Sequence, residues 1–235
     1  MTTLELSTAP SFSPALFLPG EDELPADDNQ TMETQRHKMQ MDLLIEGLDT
    51  WLEPRADGYV GGNMFIYFSQ AQIKSQDFKG PDFFAVTDVP KRERKSWVIW
   101  EEEKAPDVVI ELLSPSTADE DKTTKKAVYQ TKLRVPEFYW YDPFNPDDFA
   151  GFSLISGHYQ PMELSPQGWL SSESLGLVLR PWPGIYRGVE AVWLRWATLE
   201  GEILPTGWER AAQESQRAEL LAAKLKELGV DPDLI

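Results

Sequence analysis

The sequence predicts an α/β domain, a mixed sheet with helices packed on its faces. Two observations carry that prediction. A segment of helical period precedes several short runs rich in aromatic and β-branched residues, and a second helix and another strand follow them. In addition, 41% of the 235 residues are hydrophobic, with nine tryptophans and eleven phenylalanines, enough to fill one sizeable core. A doubly wound nucleotide-binding fold is not expected. The Gly61-Gly62 pair does not begin G-x-G-x-x-G, and G-x-x-x-x-G-K-[ST] does not occur. There is no G-x-S-x-G elbow, Ser114 has no histidine near it, and no internal repeat is present.

The elements follow in chain order. Residues 1–33 hold prolines, Ser, Thr and Asp without periodicity, and predict an extended acidic arm. From His37 through Trp51, Met41, Leu44 and Leu48 recur at helical spacing. Asp57-Gly58 reads as a turn, Gly61-Gly62-Asn63 as another turn or a bulge, and Met64 to Phe68 as a strand. Further strands are expected at Pro81 to Val86, Trp97 to Trp100 and Val108 to Leu113. Ser114-Pro115-Ser116-Thr117 ends the last of these and leads into a helix from about Asp119 to Arg134, with a strand at Phe138 to Tyr141 beyond it. Phe152 to Ile155 and Tyr159 to Leu164 read as a hairpin, and Gly176 to Trp196 as a strand, a proline-rich turn and a closing element. In the tail, Trp208, Ala211, Ser215, Ala218, Ala222 and Leu225 alternate spacings of three and four. They predict a helix over Gly207 to Leu228 that docks on its own domain or pairs two copies as a homodimer. The organisation expected is an arm at 1–33, a domain at 34–198, and a linker and helix at 199–235.

Composition limits the chemistry. The chain has no cysteine, which excludes disulfides and thiolate metal sites and fits a reducing cytoplasm. With only His37 and His158, a multi-histidine zinc site is not expected, so a metal would be held by carboxylates, which favours Mg²⁺ or Mn²⁺. No targeting or membrane segment is visible, and a cytoplasmic location is expected. The net charge of −17 argues against a polynucleotide partner, but its distribution softens the objection. Of the 39 acidic and 22 basic residues, the stretch between the two ends holds 24 and 18. Half of those 18 lie in two clusters, Lys91, Arg92, Arg94 and Lys95, then Lys122, Lys125, Lys126, Lys132 and Arg134.

The acids are more telling. Asp82 opens the apolar run Asp82-Phe83-Phe84-Ala85-Val86, and Glu111 sits inside Val108-Val109-Ile110-Glu111-Leu112-Leu113. A carboxylate in such a strand is costly unless paired or metal-bound. Strand alternation puts Asp107, Val109, Glu111 and Leu113 on one face. The alternative for Glu111 is a salt bridge to a lysine of the following helix, and for Asp82, taken alone, a Pro-Asp turn. Asp107 and Asp142, at strand ends, read as turn or capping residues.

Pro81-Asp82, the strand with Glu111, Ser114-Pro115-Ser116, then Asp121, Lys125 and Tyr129, then Pro136-Glu137-Phe138-Tyr139-Trp140-Tyr141-Asp142-Pro143 together resemble the Uma-two-type putative restriction endonucleases. These bacterial proteins belong to the PD-(D/E)XK nuclease superfamily, and the resemblance runs from about Glu33 to Arg195. It implies a restriction-endonuclease-like core in which Asp82 and Glu111 are the acids that bind the metal. The superfamily lysine is expected two residues after the second acid, where this chain has Leu113. The resemblance makes Lys125 its substitute, reaching in from the helix, where Asp121, Lys125 and Tyr129 lie one turn apart on one face. It also admits Glu33, one turn before His37, as a further metal ligand. His37, on an apolar helix face, reads as a hydrogen-bonded core residue, and Lys122 and Lys126 read as solvated or phosphate-facing.

The function expected is Mg²⁺-dependent (or Mn²⁺-dependent) hydrolysis of phosphodiester bonds, with DNA as the partner and the basic clusters on its phosphates. The alternative is a catalytically weak or inactive nuclease fold kept as a binding or regulatory module.

Overall fold

The computed structural model describes residues 19–24, 34–69 and 78–228. Thr34 opens the first helix, α1 (Gln35–Leu52), by accepting the backbone N–H of His37 on its side chain. The helix buries Met41, Leu44, Leu48 and Leu52 along one face, as their spacing predicts.

Six strands form the main sheet: β1 (Asp57–Gly61), β4 (Phe83–Pro90), β6 (Val108–Leu112), β7 (Glu137–Tyr141), β8 (Phe149–Ile155) and β9 (His158–Pro161), in that spatial order. Only β6 and β7 run parallel; the other neighbours are antiparallel. A small sheet joins β3 (Phe78–Lys79), β2 (Ile66–Tyr67) and β5 (Trp97–Val98), and a third joins β10 (Leu170–Ser172), β11 (Leu177–Tyr186) and β12 (Val189–Ala197).

β6 is buried throughout because both faces of the sheet are covered. Val108, Ile110 and Leu112 pack under α1 with Phe83, Tyr139, Tyr141 and residues of the third sheet. Val109 faces the other way, among Phe84, Tyr129, Leu133 and Phe138. That second face is roofed by a composite helix of α3 (Ala118–Glu120), π1 (Asp121–Lys125), α4 (Lys126–Val128) and π2 (Tyr129–Leu133). The main sheet and third sheet are tied by Glu137, whose buried carboxylate accepts the Ser172 hydroxyl at 2.5 Å, the Ser174 N–H at 2.9 Å and the Tyr139 hydroxyl at 3.2 Å.

Several expectations need correction. Asp57-Gly58 opens β1 instead of turning the chain; Gly58 (φ +105°) lets the register with β4 shift between Asp57 and Tyr59. The strand expected at Met64 to Phe68 shrinks to Ile66–Tyr67, and the one at Trp97 to Trp100 to Trp97–Val98, followed by a single helical turn, α2 (Ile99–Glu102). The proline-rich segment is strand. β11 carries Pro181 and Pro183 opposite Leu194 and Val192, and the chain reverses at Arg187-Gly188. Those prolines are tolerated because β10 pairs only with Leu177, Val178 and Leu179, so that edge of β11 is open beyond them.

The tail helix α5 (Gly207–Glu227) begins at a capping box between Thr206 and Glu209. Arg195 holds Glu209 at 2.6 Å and Arg210 holds Glu53 at 2.5 Å, but no residue of α5 is buried. These two ion pairs hold its first turn to the domain. Of the arm expected over 1–33, only residues 19–24 are described. No helix among the described residues is long and apolar enough to cross a membrane.

Candidate active site

Strand alternation turns Glu111 to the same face as Val109, towards the composite helix, where it is fully buried. Two side chains come down to meet it. Lys125 Nζ donates to Oε2 at 3.0 Å and the Tyr129 hydroxyl to Oε1 at 2.6 Å. Asp121, also buried, lies with Oδ1 2.7 Å from the same Lys125 Nζ. Asp82, mostly buried just ahead of β4, accepts the Leu112 N–H at 2.7 Å and hydrogen-bonds to Glu111. The structure thus brings Asp82, Glu111 and Lys125 together, with Asp121 and Tyr129 beside them. The two π-helical turns fall on the segments that carry Asp121, Lys125 and Tyr129, a widening of the helix often found at functional sites.

The electrostatics follow from counting. Three carboxyl groups surround one ammonium in a water-poor space. Burial pushes Glu111 up to about 8, with Asp82 and Asp121 adding to the rise and Lys125 and Tyr129 opposing it. Burial likewise pushes Asp82 up to about 6 against the Leu112 N–H and Lys125. For Lys125, burial alone would lower the pKa, but Glu111 and Asp121 outweigh it and hold the ammonium charged. The Tyr129 hydroxyl, buried against Glu111, is held well above its ordinary value and stays a donor.

The remaining candidates are placed as follows. Glu33 lies outside the described residues. His37 is buried and fixed at both ring nitrogens: Nε2 lies 2.9 Å from the Leu113 carbonyl, which can only accept, so Nε2–H donates and Nδ1 takes the Thr34 hydroxyl at 2.8 Å. Leu113 is buried and its N–H donates to the Tyr141 carbonyl at 2.8 Å. Asp107 accepts the Thr87 N–H at 2.7 Å and Asp142 the Phe144 N–H at 2.8 Å, both structural. His158 is an exposed β9 residue.

Most residues of the two basic clusters have partners within the protein. Arg94 is buried and chelates Glu102, at 2.7 Å from Nε and 2.9 Å from Nη2. Arg92 pairs with Glu21 and Glu102, Lys95 with Asp22, and Lys91 caps the Leu52 and Glu53 carbonyls at 2.8 and 3.2 Å. Lys122 is bound to Asp148 at 2.6 Å, and Lys126 lies over the Phe152 ring, 3.2 Å from its centre. Most of these cations thus meet acidic, carbonyl or aromatic groups of the protein itself, while Lys132 and Arg134 are exposed.

Divalent metal chemistry is compatible with this donor set. The donors are hard oxygens, and their excess charge is negative. Among the described residues no group of three His, Asp or Glu side chains is arranged to enclose an ion. Mg²⁺ commonly takes one or two carboxylates and keeps several waters.

A family model described as "Uma2: Putative restriction endonuclease" matches residues 28–181. Among solved structures, a putative nuclease belonging to DUF820 from Anabaena variabilis is similar at 15% identity and a TM-score of 0.46, over 66% of this chain and 89% of that one. No curated protein is similar enough to match the chain.

Proposed function

The chain belongs to the Uma2 family of putative restriction endonucleases, and from that premise we propose that it is a metal-dependent endonuclease acting on DNA, with Asp82, Glu111 and Lys125 as its working residues. The observation that supports this most is the 3.0 Å contact from Lys125 to Glu111, which puts an ammonium at the site although the strand position two beyond Glu111 is Leu113. Asp82 and Glu111 would hold Mg²⁺ or Mn²⁺, which supplies Lewis-acid polarisation of the phosphodiester. Lys125 orients the attacking water and offsets the negative charge that develops on the phosphoryl oxygens. Tyr129 and the Leu112 N–H fix the two carboxylates, so neither must reorganise as that charge appears. Removing the ammonium should lower cleavage by about 10²–10³-fold. The test is a plasmid cleavage assay with Mn²⁺ on wild type and Lys125→Ala; unchanged cleavage would return Lys125 to a structural role.

A second reading, a binding or regulatory module without activity, is favoured by the pairing of both Glu111 oxygens and of most cluster lysines and arginines within the protein. Cleavage lost in Asp82→Ala but present in wild type excludes it. We also propose that two copies pair through α5, since no residue of the helix is buried and its apolar Trp208 and Leu221 are 80% and 57% exposed. Molar mass in solution, wild type against Leu221→Lys, tests this.

A further inference from the structure

Lys125 reaches the site without the backbone hold that a strand residue would have. It comes from the composite helix on a flexible four-carbon stem, which leaves the ammonium free to point elsewhere unless another group fixes it. Glu111 gives one hold, 3.0 Å from Nζ. In the nuclease reading that hold is shared, because the carboxylate of Glu111 also takes the cation. Two positive groups on one carboxylate repel, so Glu111 alone keeps Lys125 least well when the ammonium is needed.

Asp121 supplies a second hold. Its Oδ1 lies 2.7 Å from the same Nζ, one turn back on the same helix, and the residue is 1% exposed. Its place is keyed to the strand that carries Glu111. Buried Ser114, three residues beyond Glu111, accepts the N–H groups of Ser116 and Thr117 on its hydroxyl at 3.3 and 3.2 Å, and that of Ala118 on its carbonyl at 2.9 Å. The Thr117 carbonyl in turn accepts the Asp121 N–H at 2.9 Å. Next along the helix, Lys122 is tied to Asp148 at 2.6 Å. The helix cannot slide along β6 without breaking these bonds.

For folding alone Asp121 is a liability. Glu111 already neutralises Lys125, and a further carboxylate buried beside Asp82 and Glu111 adds negative charge to a site that holds an excess of it. Nor is it placed as a third metal ligand, since among the described residues no three acidic or histidine side chains are arranged to enclose an ion. What its geometry does serve is the position of Lys125.

We propose that Asp121 is a positioning residue that keeps the Lys125 ammonium at the carboxylate site when Glu111 is engaged by the metal, and that it does not hold the metal itself. This deepens the nuclease reading and rests on it.

The test is a double-mutant cycle on the full chain: wild type, Asp121→Asn, Lys125→Met and the pair. Plasmid cleavage and calorimetric affinity are measured with Mn²⁺, and the denaturant midpoint without metal. The Lys125 ammonium is followed by ¹⁵N NMR in Mg²⁺, assigned by its loss in Lys125→Met. Asp121→Asn should lower kcat about 10–100-fold, because a displaced group loses about that much. It should leave Mn²⁺ affinity within about twofold of wild type, leave the midpoint no lower, and abolish the slowly exchanging ammonium signal. Added to Lys125→Met, it should cost less than about twofold further, since it acts only through that lysine.

Unchanged kcat, additive losses, Mn²⁺ binding weakened tenfold or more, or an ammonium signal that is absent in wild type or survives Asp121→Asn overturns the proposal. So does a variant that is less stable or unfolded, which would make the pair merely structural. The two readings fail separately. Cleavage that Asp121→Asn leaves intact keeps the nuclease and removes the positioning role. A wild type that binds Mn²⁺ and cuts nothing, yet loses its ammonium signal in Asp121→Asn, keeps the positioning role and removes the nuclease. No metal binding by wild type overturns both.

Discussion

Two buried charge clusters in this protein are built in opposite ways. Around Arg94 every element compensates: Glu102 meets the guanidinium with both oxygens, the Pro90 and Arg92 carbonyls take further N–H groups at 3.1 and 3.2 Å, and the Tyr59 and Trp97 rings flank it at 4.9 and 4.7 Å. Around Glu111 compensation is left incomplete. Three carboxyl groups share one ammonium, and burial answers by raising Glu111 to about 8 and Asp82 to about 6. The first cluster fastens the β4–β5 connection to α2. The second stores unbalanced negative charge where a divalent cation could relieve it.

The contrast breaks most visibly at Arg94. Arg94→Ala leaves Glu102 buried without its main partner and should cost about 3–5 kcal/mol, read from the denaturant midpoint. Glu111→Gln should act in the opposite direction, raising stability by about 2 kcal/mol at pH 8.5 in the absence of metal, because it removes a charge that folding penalises. The same measurement across pH sharpens the point. Both folded-state pKa values lie above the ordinary 3.8 and 4.5, so between about pH 4 and pH 8 the folded protein holds more protons than the unfolded chain. Stability should then fall as pH rises through that window and level off above it, and Glu111→Gln should flatten the upper part, from about 6 to 8. Tyr129→Phe removes one hydrogen bond to a charged group and should cost about 1.5 kcal/mol above pH 8, less below it as Glu111 takes up its proton. Smallest of all is Lys95→Ala: its pair with Asp22 is exposed, and the midpoint should not move measurably.

Much of the scaffold was legible. The stripe Met41, Leu44 and Leu48 is the face that α1 buries, and the apolar run around Glu111 is a strand covered on both sides. Both signals are local, written in spacing. What was not legible depends on contacts between distant segments. The partners of Arg92, Arg94 and Lys95 could not be read from the cluster itself, because Glu102, Glu21 and Asp22, which pair with them, are brought in only by folding. Pro181 and Pro183 read as a turn because the sequence cannot show that β10 stops short of them. The π-turns leave no periodic mark in a stretch this short, and the Arg36–Pro143 bond spans 107 residues. At the site, Asp82, Glu111 and Lys125 were named from the family's order of residues, and the one-turn spacing of Asp121 and Lys125 already placed them on one helix face, where they meet at 2.7 Å; that the same ammonium also reaches Glu111 at 3.0 Å is set by the strand-to-helix packing.

The central claim is that the charge imbalance at Glu111 is matched to a divalent cation. The most direct measurement is calorimetric titration of Mn²⁺ at pH 7 in two buffers of different ionisation enthalpy. Glu111, with its pKa at about 8, is largely protonated there, so binding must expel its proton into the buffer. The account predicts binding by wild type with heats that differ between the two buffers, and loss of that binding in Asp82→Ala. Equal heats in both buffers, or no binding by wild type, would contradict it.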